Sequence, residues 1–416
     1  MTPAAAATLA AIDLTDHDRY AEAVPYADLD VLRRQDPVHW HPERAGRGFW
    51  AVTRYDDVMA VSRDTVTYSS EIGASALEDL EPDALEARKS MIDTDPPRHG
   101  QLRKLVAGSF TRRQVARYED DLRAIIRDVL DRAVAMGTFD AVREVATAVP
   151  IRVLCRLLGI PHQDEALMAE LGDRLIAGSD PDLGDTGTGS DAYRLLPFRS
   201  PAALEMHAFS QRLRTSARQG TAAEGVLVSL ADADIGGQPL SQREYDAMCL
   251  LLVVAGNETT RSALSLGVEA LAAHPAQWDR LKSGADLSTA TEEILRWTTP
   301  LHHFRRTATC DAALRGKSIR KGDKVVVWYT SANRDDEIFR DPYVFDVTRS
   351  PNVHVAFGRA GPHRCLGEHL ARLEIRIVLE ELLMRVDLLE LAGQPRRIRS
   401  NFTNGLKSLP IRMTPR

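Results

Sequence analysis

One glycine-rich loop, Phe357-Gly358-Arg359-Ala360-Gly361-Pro362-His363-Arg364-Cys365-Leu366-Gly367, constrains this chain more than any other stretch. Leu366, Leu370, Leu373 and Ile377 follow at steps of four, three and four, the apolar face of a helix. Cys365 therefore stands where loop becomes helix, among backbone N–H groups without partners and at the positive end of the helix dipole. That setting favours a thiolate over a thiol. Gly358, Gly361 and Gly367 carry no Cβ, so the backbone can pass close to something large and flat. A cysteine presented in this way is one of the few axial ligands that proteins offer to haem iron.

The chain has 416 residues, 44% of them hydrophobic and 27% charged, the composition of an ordinary globular protein with a large core. A net charge of −6 gives no support to nucleic-acid binding as a main role. Met1 to Ala11 is alanine-rich but lacks the basic start and layout of a secretory signal. No apolar run reaches the ~18 residues of a membrane span. Cys155, Cys249, Cys310 and Cys365 are scattered, with no C-x-x-C pair and no disulfide framework. A reducing cytoplasm is the simplest reading.

No internal repeat and no linker between independent domains is visible. Residues 1–416 read as a single domain, mainly α, with a smaller strand-bearing region. Helical patterns cover roughly 98–107, 112–136, 141–158, 164–177, 201–218, 241–273, 276–282 and 288–297. Phe49-Trp50-Ala51-Val52 reads as a strand, followed by a turn and a helix from near Asp56. Lys324-Val325-Val326-Val327-Trp328-Tyr329 reads as a buried strand after a Lys321-Gly322-Asp323 turn. Residues 65–92 read as a long irregular polar loop, a length usually tied to function or mobility. The tract 178–192 is a flexible linker by composition, and the helices it joins could act as a lid.

The segment from Leu251 to Thr260 lies in the middle of the longest helical pattern. Gly256 there costs about 1 kcal/mol relative to alanine, and Asn257, Thr259 and Thr260 are also poor interior residues. The cluster predicts a distorted turn where carbonyls open and a small ligand or water enters. Glu258 beside Thr259 then offers a carboxylate and a hydroxyl, the two parts of a proton relay. A solvated Glu258, with threonines bonded back to their own helix, fits the same residues. Glu293 and Arg296 stand at i and i+3 ahead of an apolar bend, although such pairs are commonly surface ion pairs. His99 and Arg103, four apart on a helix, can bind one carboxylate together. Arg306 and His363 are further candidates for anion contact; for each of these four, a surface or capping role is the plainer alternative.

In this order the motifs make the chain similar to the cytochrome P-450 family of haem-thiolate monooxygenases, from about Phe49 to Lys407. The resemblance implies the P-450 fold and haem b with the Cys365 thiolate as axial ligand. It sets Ala255, Gly256, Phe357, Gly358 and Gly367 against the haem, and His99, Arg103, Arg306 and His363 at its propionates. Ala255 through Thr260 match A-G-x-[DE]-T-T, which implies that Thr259 and Glu258 deliver protons to dioxygen. Glu293 and Arg296, with Arg349, would lock the meander before the cysteine loop. One departure stands out. The common pattern F-x-x-G-x-H-x-C puts Phe seven residues before the cysteine, where this chain has Gly358, with Phe357 one residue further back. Gly361, His363 and Gly367 keep their distances, so the ligand is clear while shielding of the sulfur by an aromatic ring stays open. A similar longer loop is familiar in actinobacterial members that hydroxylate steroid side chains and methyl-branched lipids. Phe304 to Ala308 and Asn404 to Lys407 also resemble that group.

The expected activity is hydroxylation of a hydrophobic small molecule with dioxygen and two electrons. A steroid, terpenoid or branched lipid leads, ahead of an aromatic or secondary-metabolite substrate. No flavin or dinucleotide motif is fused to the chain, so an external ferredoxin or flavodoxin with its reductase is the expected donor. Arg98, Arg103, Lys104, Arg112, Arg113, Arg359, Arg364 and Arg372 would give it a basic docking face. A peroxide-driven peroxygenase is the alternative, which the Glu258-Thr259 pair disfavours. A cytoplasmic monomer is expected. The pocket should be apolar, walled by the 70–92 loop, the 171–205 lid, Leu252, Ala255, Leu301 to Phe304 and Phe402-Thr403. His302 and His303 face either substrate or the bend.

Overall fold

A capping box starts the helix on which the fold is built. The Glu244 N–H donates to Ser241 Oγ, and the Ser241 N–H donates to the Glu244 carboxylate at 2.9 Å. From there the helix runs for 32 residues, Gln242–Ala273, buried on most sides. The computed structural model describes residues 9–44, 46–75, 77–176, 178, 180–185 and 188–416; the first eight residues, most of the alanine-rich start, lie outside them. Helices used below are α1 (Pro82–Arg88), α2 (Arg98–Ala107), α3 (Glu119–Met136), α4 (Ala148–Leu158), α5 (Glu165–Ile176), α6 (Ala202–Arg218), α7 (Gln242–Ala273), α8 (Leu287–Thr298) and α9 (Glu368–Arg385). The chain is mainly α, as its periodicity predicts. Helices α4, α5, α6 and α8 all pack on α7.

The strands form a smaller layer. β1 (Val38–His41), β2 (Phe49–Val52), β3 (Tyr68–Ser69), β4 (His303–Ala308) and β5 (Lys324–Trp328) make one sheet in the order β1-β2-β5-β4-β3. β5 runs parallel to β2 and antiparallel to β4, and every residue of β5 is buried. Two-sided burial explains its unbroken Val-Val-Val run. A three-stranded sheet of Thr138–Asp140, Val386–Leu391 and Pro410–Pro415 closes the far end.

Four expectations change. The 65–92 stretch contains β3 and α1; Pro82 and Asp83 supply the preset φ and the acid that suit a first helical turn. The 112–136 pattern breaks at a 3₁₀ turn, Ala116–Tyr118, and α3 restarts on Glu119-Asp120-Asp121. The 141–158 pattern opens with a π-helical turn, Val142–Thr147. Within α7, residues 251–260 stay helical, so the predicted distortion does not form. Gly256 serves packing instead: a Cβ there would stand 2.8 Å from Leu154 Cδ1 on α4. Burial on several faces outweighs a propensity cost of about 1 kcal/mol.

The described part of 178–192 is tethered. Buried Asp180 accepts from Lys407 Nζ (3.1 Å) and the Arg399 N–H (2.8 Å), and Asp185 pairs with Arg174 at 2.7 Å. Glu293 and Arg296 form a fully buried ion pair, with bonds of 2.7 and 2.8 Å. Glu293 also accepts from Arg349 Nε (3.1 Å), Asn352 Nδ2 (3.0 Å) and the Asp346 N–H (3.0 Å). Arg296 donates in turn to the carbonyls of Asn333 and Pro342, both at 2.9 Å. Arg296→Met, which breaks the buried pair and leaves Glu293 only Arg349 as a cation, should destabilise the protein by about 3 kcal/mol. Chemical denaturation checks this; a midpoint equal to the parent's would remove the cluster from any stabilising role.

Candidate active site

A slot separates α7 from the loop that precedes α9. Leu252, Ala255, Gly256, Thr259 and Ala263 line it from α7, spaced as one helix face. Phe357, Gly358, Cys365, Leu366 and Gly367 line the opposite side. Ala255 is exposed on an otherwise largely buried stretch of α7 because it looks into this opening. Phe304 and Arg306 face the slot from β4, two residues apart on the same side of a strand.

The cysteine loop is closed by two backbone bonds of 2.8 Å, from the Cys365 N–H to Phe357 O and from the Gly358 N–H to Val355 O. Gly358 and Gly361 take the left-handed region, at φ +61° and +79°. A Cβ on Gly361 would fall 2.0 Å from the Ser62 carbonyl oxygen, so only glycine lets the loop sit on the helix Tyr55–Arg63. Phe357 still reaches the slot, and the Arg372 guanidinium sits 4.6 Å from its ring centroid. Helix α9 begins three residues after Cys365, whose side chain is exposed toward the slot, and the protein packed around it pushes the thiol up to about 11 against the opposing pull of the Gly367 N–H, Arg103 and Arg372. Coordination to a metal ion, which deprotonates a thiol outright, would supply what the local setting does not.

One edge of the slot has surplus positive charge. His99, Arg103, Arg306 and His363 converge there, with the rings of His99 and His363 4.2 Å apart. Arg306 is 4% exposed, gives Nη1 to the Arg305 carbonyl at 2.7 Å and leaves Nε without a partner. Among the described residues no carboxylate lies within 4.0 Å of Arg103 or Arg306. Buried cations without counter-ions are costly. Apolar walls, a cysteine and an uncompensated cationic edge fit a flat group bearing carboxylates, as haem does. Burial lowers His99 and takes His363 down to about 3, so both meet that edge as neutral rings.

The structure separates the expected relay pair. Thr259 lines the slot, its hydroxyl donating to the Ala255 carbonyl at 2.8 Å. Glu258 lies outside the slot lining, buried, and paired with Arg261 at 2.6 Å, while Arg261 also pairs with Asp173. Burial raises the Glu258 carboxyl above the usual range against the pull of Arg261. Sequence reasoning missed Glu374, a slot residue on α9 whose Oε2 has no partner and whose carboxyl burial drives well up. A carboxylate set inside the Leu370-Leu373-Ile377 stripe was the available signal.

A larger cavity of about 700 Å³ adjoins the slot; Ile92 and Leu251 line both. The 70–92 stretch, the 171–205 region, α7 and Phe402 wall it, largely as expected. Thr403 instead bridges Leu301. His302 bonds in the bend, 2.7 Å from Thr330 Oγ1, whereas His303 stands at the cavity wall with neither ring nitrogen partnered. The predicted basic face is thinner than expected. Arg98 pairs with Glu244, Arg364 with Glu368 at 2.7 Å and Arg372 with Glu292 at 2.6 Å. Lys104, Arg112, Arg113 and Arg359 remain exposed.

A family model described as Cytochrome P450 matches residues 287–414. The chain is 34% identical to a steroid C26-monooxygenase of Mycolicibacterium smegmatis, over 97% of this chain and 93% of that protein. It is 37% identical to a methyl-branched lipid omega-hydroxylase of Mycobacterium tuberculosis, over 99% and 96%. Its fold matches that of a Mycobacterium marinum cytochrome P450 in complex with pseudoionone, with a TM-score of 0.88 at 35% identity, covering 97% and 98% of the two chains. Likeness over nearly the whole length of these proteins places the chain in the cytochrome P450 family, as a monooxygenase that holds haem b through the Cys365 thiolate.

Proposed function

We propose that this monooxygenase hydroxylates a steroid, terpenoid or methyl-branched lipid, with dioxygen and two electrons from an external ferredoxin-type protein. The observation that carries this reading is the 700 Å³ cavity meeting the slot at Ile92 and Leu251. It is large enough for a molecule of that size and mostly apolar in its walls. The relatives named for steroid and methyl-branched lipid oxidation support it. When bound, haem supplies dioxygen activation and transfer of one oxygen atom to a C–H bond.

The chain's residues do the rest. Arg103, Arg306, His99 and His363 would hold the carboxylates of the group, and Phe357 with Arg372 would cover the side of the slot that carries Cys365. Leu251, Leu252 and Phe304 exclude water from the reacting carbon. Thr259 presents its hydroxyl in the slot, and Glu258, drawn by burial toward its proton-bearing form, refills it after turning away from Arg261. Lys104, Arg112, Arg113 and Arg359 form the exposed cationic face on which an acidic electron donor docks. Among the described residues no helix is long and apolar enough to cross a membrane.

Turnover of a steroid or branched-lipid substrate with reductant and dioxygen, compared with peroxide alone, tests the whole reading; activity with peroxide only would overturn it. Thr259→Ala should keep haem but consume electrons with a several-fold lower yield of product, measured as product per NADH. Equal coupling in mutant and parent would remove Thr259 from proton delivery. Arg306→Leu should speed haem loss to apomyoglobin roughly tenfold, as expected when a charged hydrogen bond is lost. Reduction by a ferredoxin should slow as ionic strength rises; a rate indifferent to salt would exclude electrostatic docking.

A further inference from the structure

The large cavity carries ionisable groups that oxygen chemistry does not use, and their balance is uneven. The Arg and Lys side chains that line it are already matched: Arg88 with Glu78, Arg199 with Glu78 at 2.9 Å, Lys89 with Glu71 at 3.8 Å and Arg243 with Glu86 at 2.6 Å. Asp246, on α7, is not. Its side chain lines the cavity at 6% exposure, and among the described residues no cation comes within 4.0 Å of it. It receives neutral donors only. Ser210 Oγ and Gln242 Nε2 (2.7 Å) donate to Oδ1, while Oδ2 has a single long contact of 3.4 Å from Gln211 Nε2. An ionised carboxylate offers about four acceptor sites, so Oδ2 keeps most of its capacity. His207, on α6 at the same wall, makes no side-chain hydrogen bond among the described residues; burial lowers its pKa and Asp246 pulls it back up.

The position along α7 matters as much as the chemistry. Asp246, Leu250 and Val254 stand four apart on the face of α7 that lines the cavity, and Leu251 at its border also lines the slot. At 1.5 Å per residue, Asp246 stands about 14 Å along the axis from Ala255. A ligand with its reacting carbon at the slot would bring its other end to this carboxylate.

We propose that Asp246 is a specificity-determining residue that accepts a hydrogen bond from a hydroxyl at the substrate's remote end and turns away substrates with a free carboxylate there. This rests on the reading of the cavity as the substrate site. A carboxylate only accepts, so the ligand must donate, which a ketone cannot do. A carboxylate on the ligand would face a buried like charge with every lining Arg and Lys already engaged. A neutral alcohol suits these walls better than an ammonium, whose full charge would lose its hydration among Leu250, Leu251 and Val254.

The test is titration of the holoenzyme with three matched probes, trimethyldodecane, trimethyldodecanol and trimethyldodecanoic acid, at pH 7.5, read by the haem absorbance shift. The alcohol should bind about tenfold tighter than the hydrocarbon, as one hydrogen bond to a charged acceptor allows, and the acid should bind weakest. In Asp246→Asn the alcohol-to-hydrocarbon ratio should fall to roughly threefold and the acid should gain affinity relative to the alcohol. General damage to the pocket would weaken all probes alike and leave these ratios unmoved, which would overturn the assignment. So would an acid that binds as tightly as the alcohol, or trimethyldodecylamine binding tighter than both. If the hydrocarbon shifts the spectrum and the alcohol is no better, only Asp246 loses its role. If none of the probes produces a shift, the cavity itself is not the substrate site and the assignment falls with it.

Discussion

The Glu293 carboxylate holds the cysteine side of the molecule in place. It lies fully buried and is met by Arg296, Arg349, Asn352 and the Asp346 N–H, while Arg296 spends its remaining donors on carbonyls between residues 333 and 344. Removing Arg296 would cost the buried carboxylate its main partner and leave several buried carbonyls without a donor, at a cost of several kcal/mol. The segment from 333 to 352 therefore has one workable path past α8. Phe357 follows a few residues later, so the loop that presents Cys365 inherits its position from this cluster.

The slot, by contrast, is not electrostatically complete on its own. Without a metal the Cys365 thiol is held up at about 11, and Arg306 is buried with no carboxylate in ion-pair range among the described residues, Asp93 and Asp95 acting from further off. Each is unfavourable in the bare chain, and each is relieved by one ligand carrying a metal centre and a carboxylate edge. Protein stability is thereby coupled to haem binding. The opposite wall shows the same division of labour: α7 gives Ala255 and Thr259 to the slot and keeps Glu258 on its other side, bound to Arg261.

Most of what was legible in the chain was local. Helix spans came within a residue or two where apolar spacing and end signals agreed, as for α2, α6 and α7. The Glu293-Arg296 pair was visible as a spacing, yet nothing in four residues distinguishes a buried pair from a surface one. Propensity misjudged residues 251–260, because four helices pressing on α7 enforce regularity there. Composition at 178–192 could not show that Asp180 and Asp185 partner Lys407 and Arg174 from distant segments. The basic face was overcounted for the same reason, since Arg98 and Arg372 had carboxylates waiting on α7 and α8.

By itself the sequence determined the helical class, the cysteine ligand, the loop glycines and the residues of the cationic edge. The class and the glycines follow from chain-local rules of period and backbone freedom; the ligand and the edge follow from the resemblance of the ordered motifs to the family. Only the tertiary structure decided that Phe357 still reaches the slot despite the longer loop, that Glu258 and Thr259 part company, and that, among the described residues, no cation comes within ion-pair range of Asp246. Those outcomes depend on which distant groups fold into reach, and both electrostatic pairing and desolvation are set by separation in space, not along the chain.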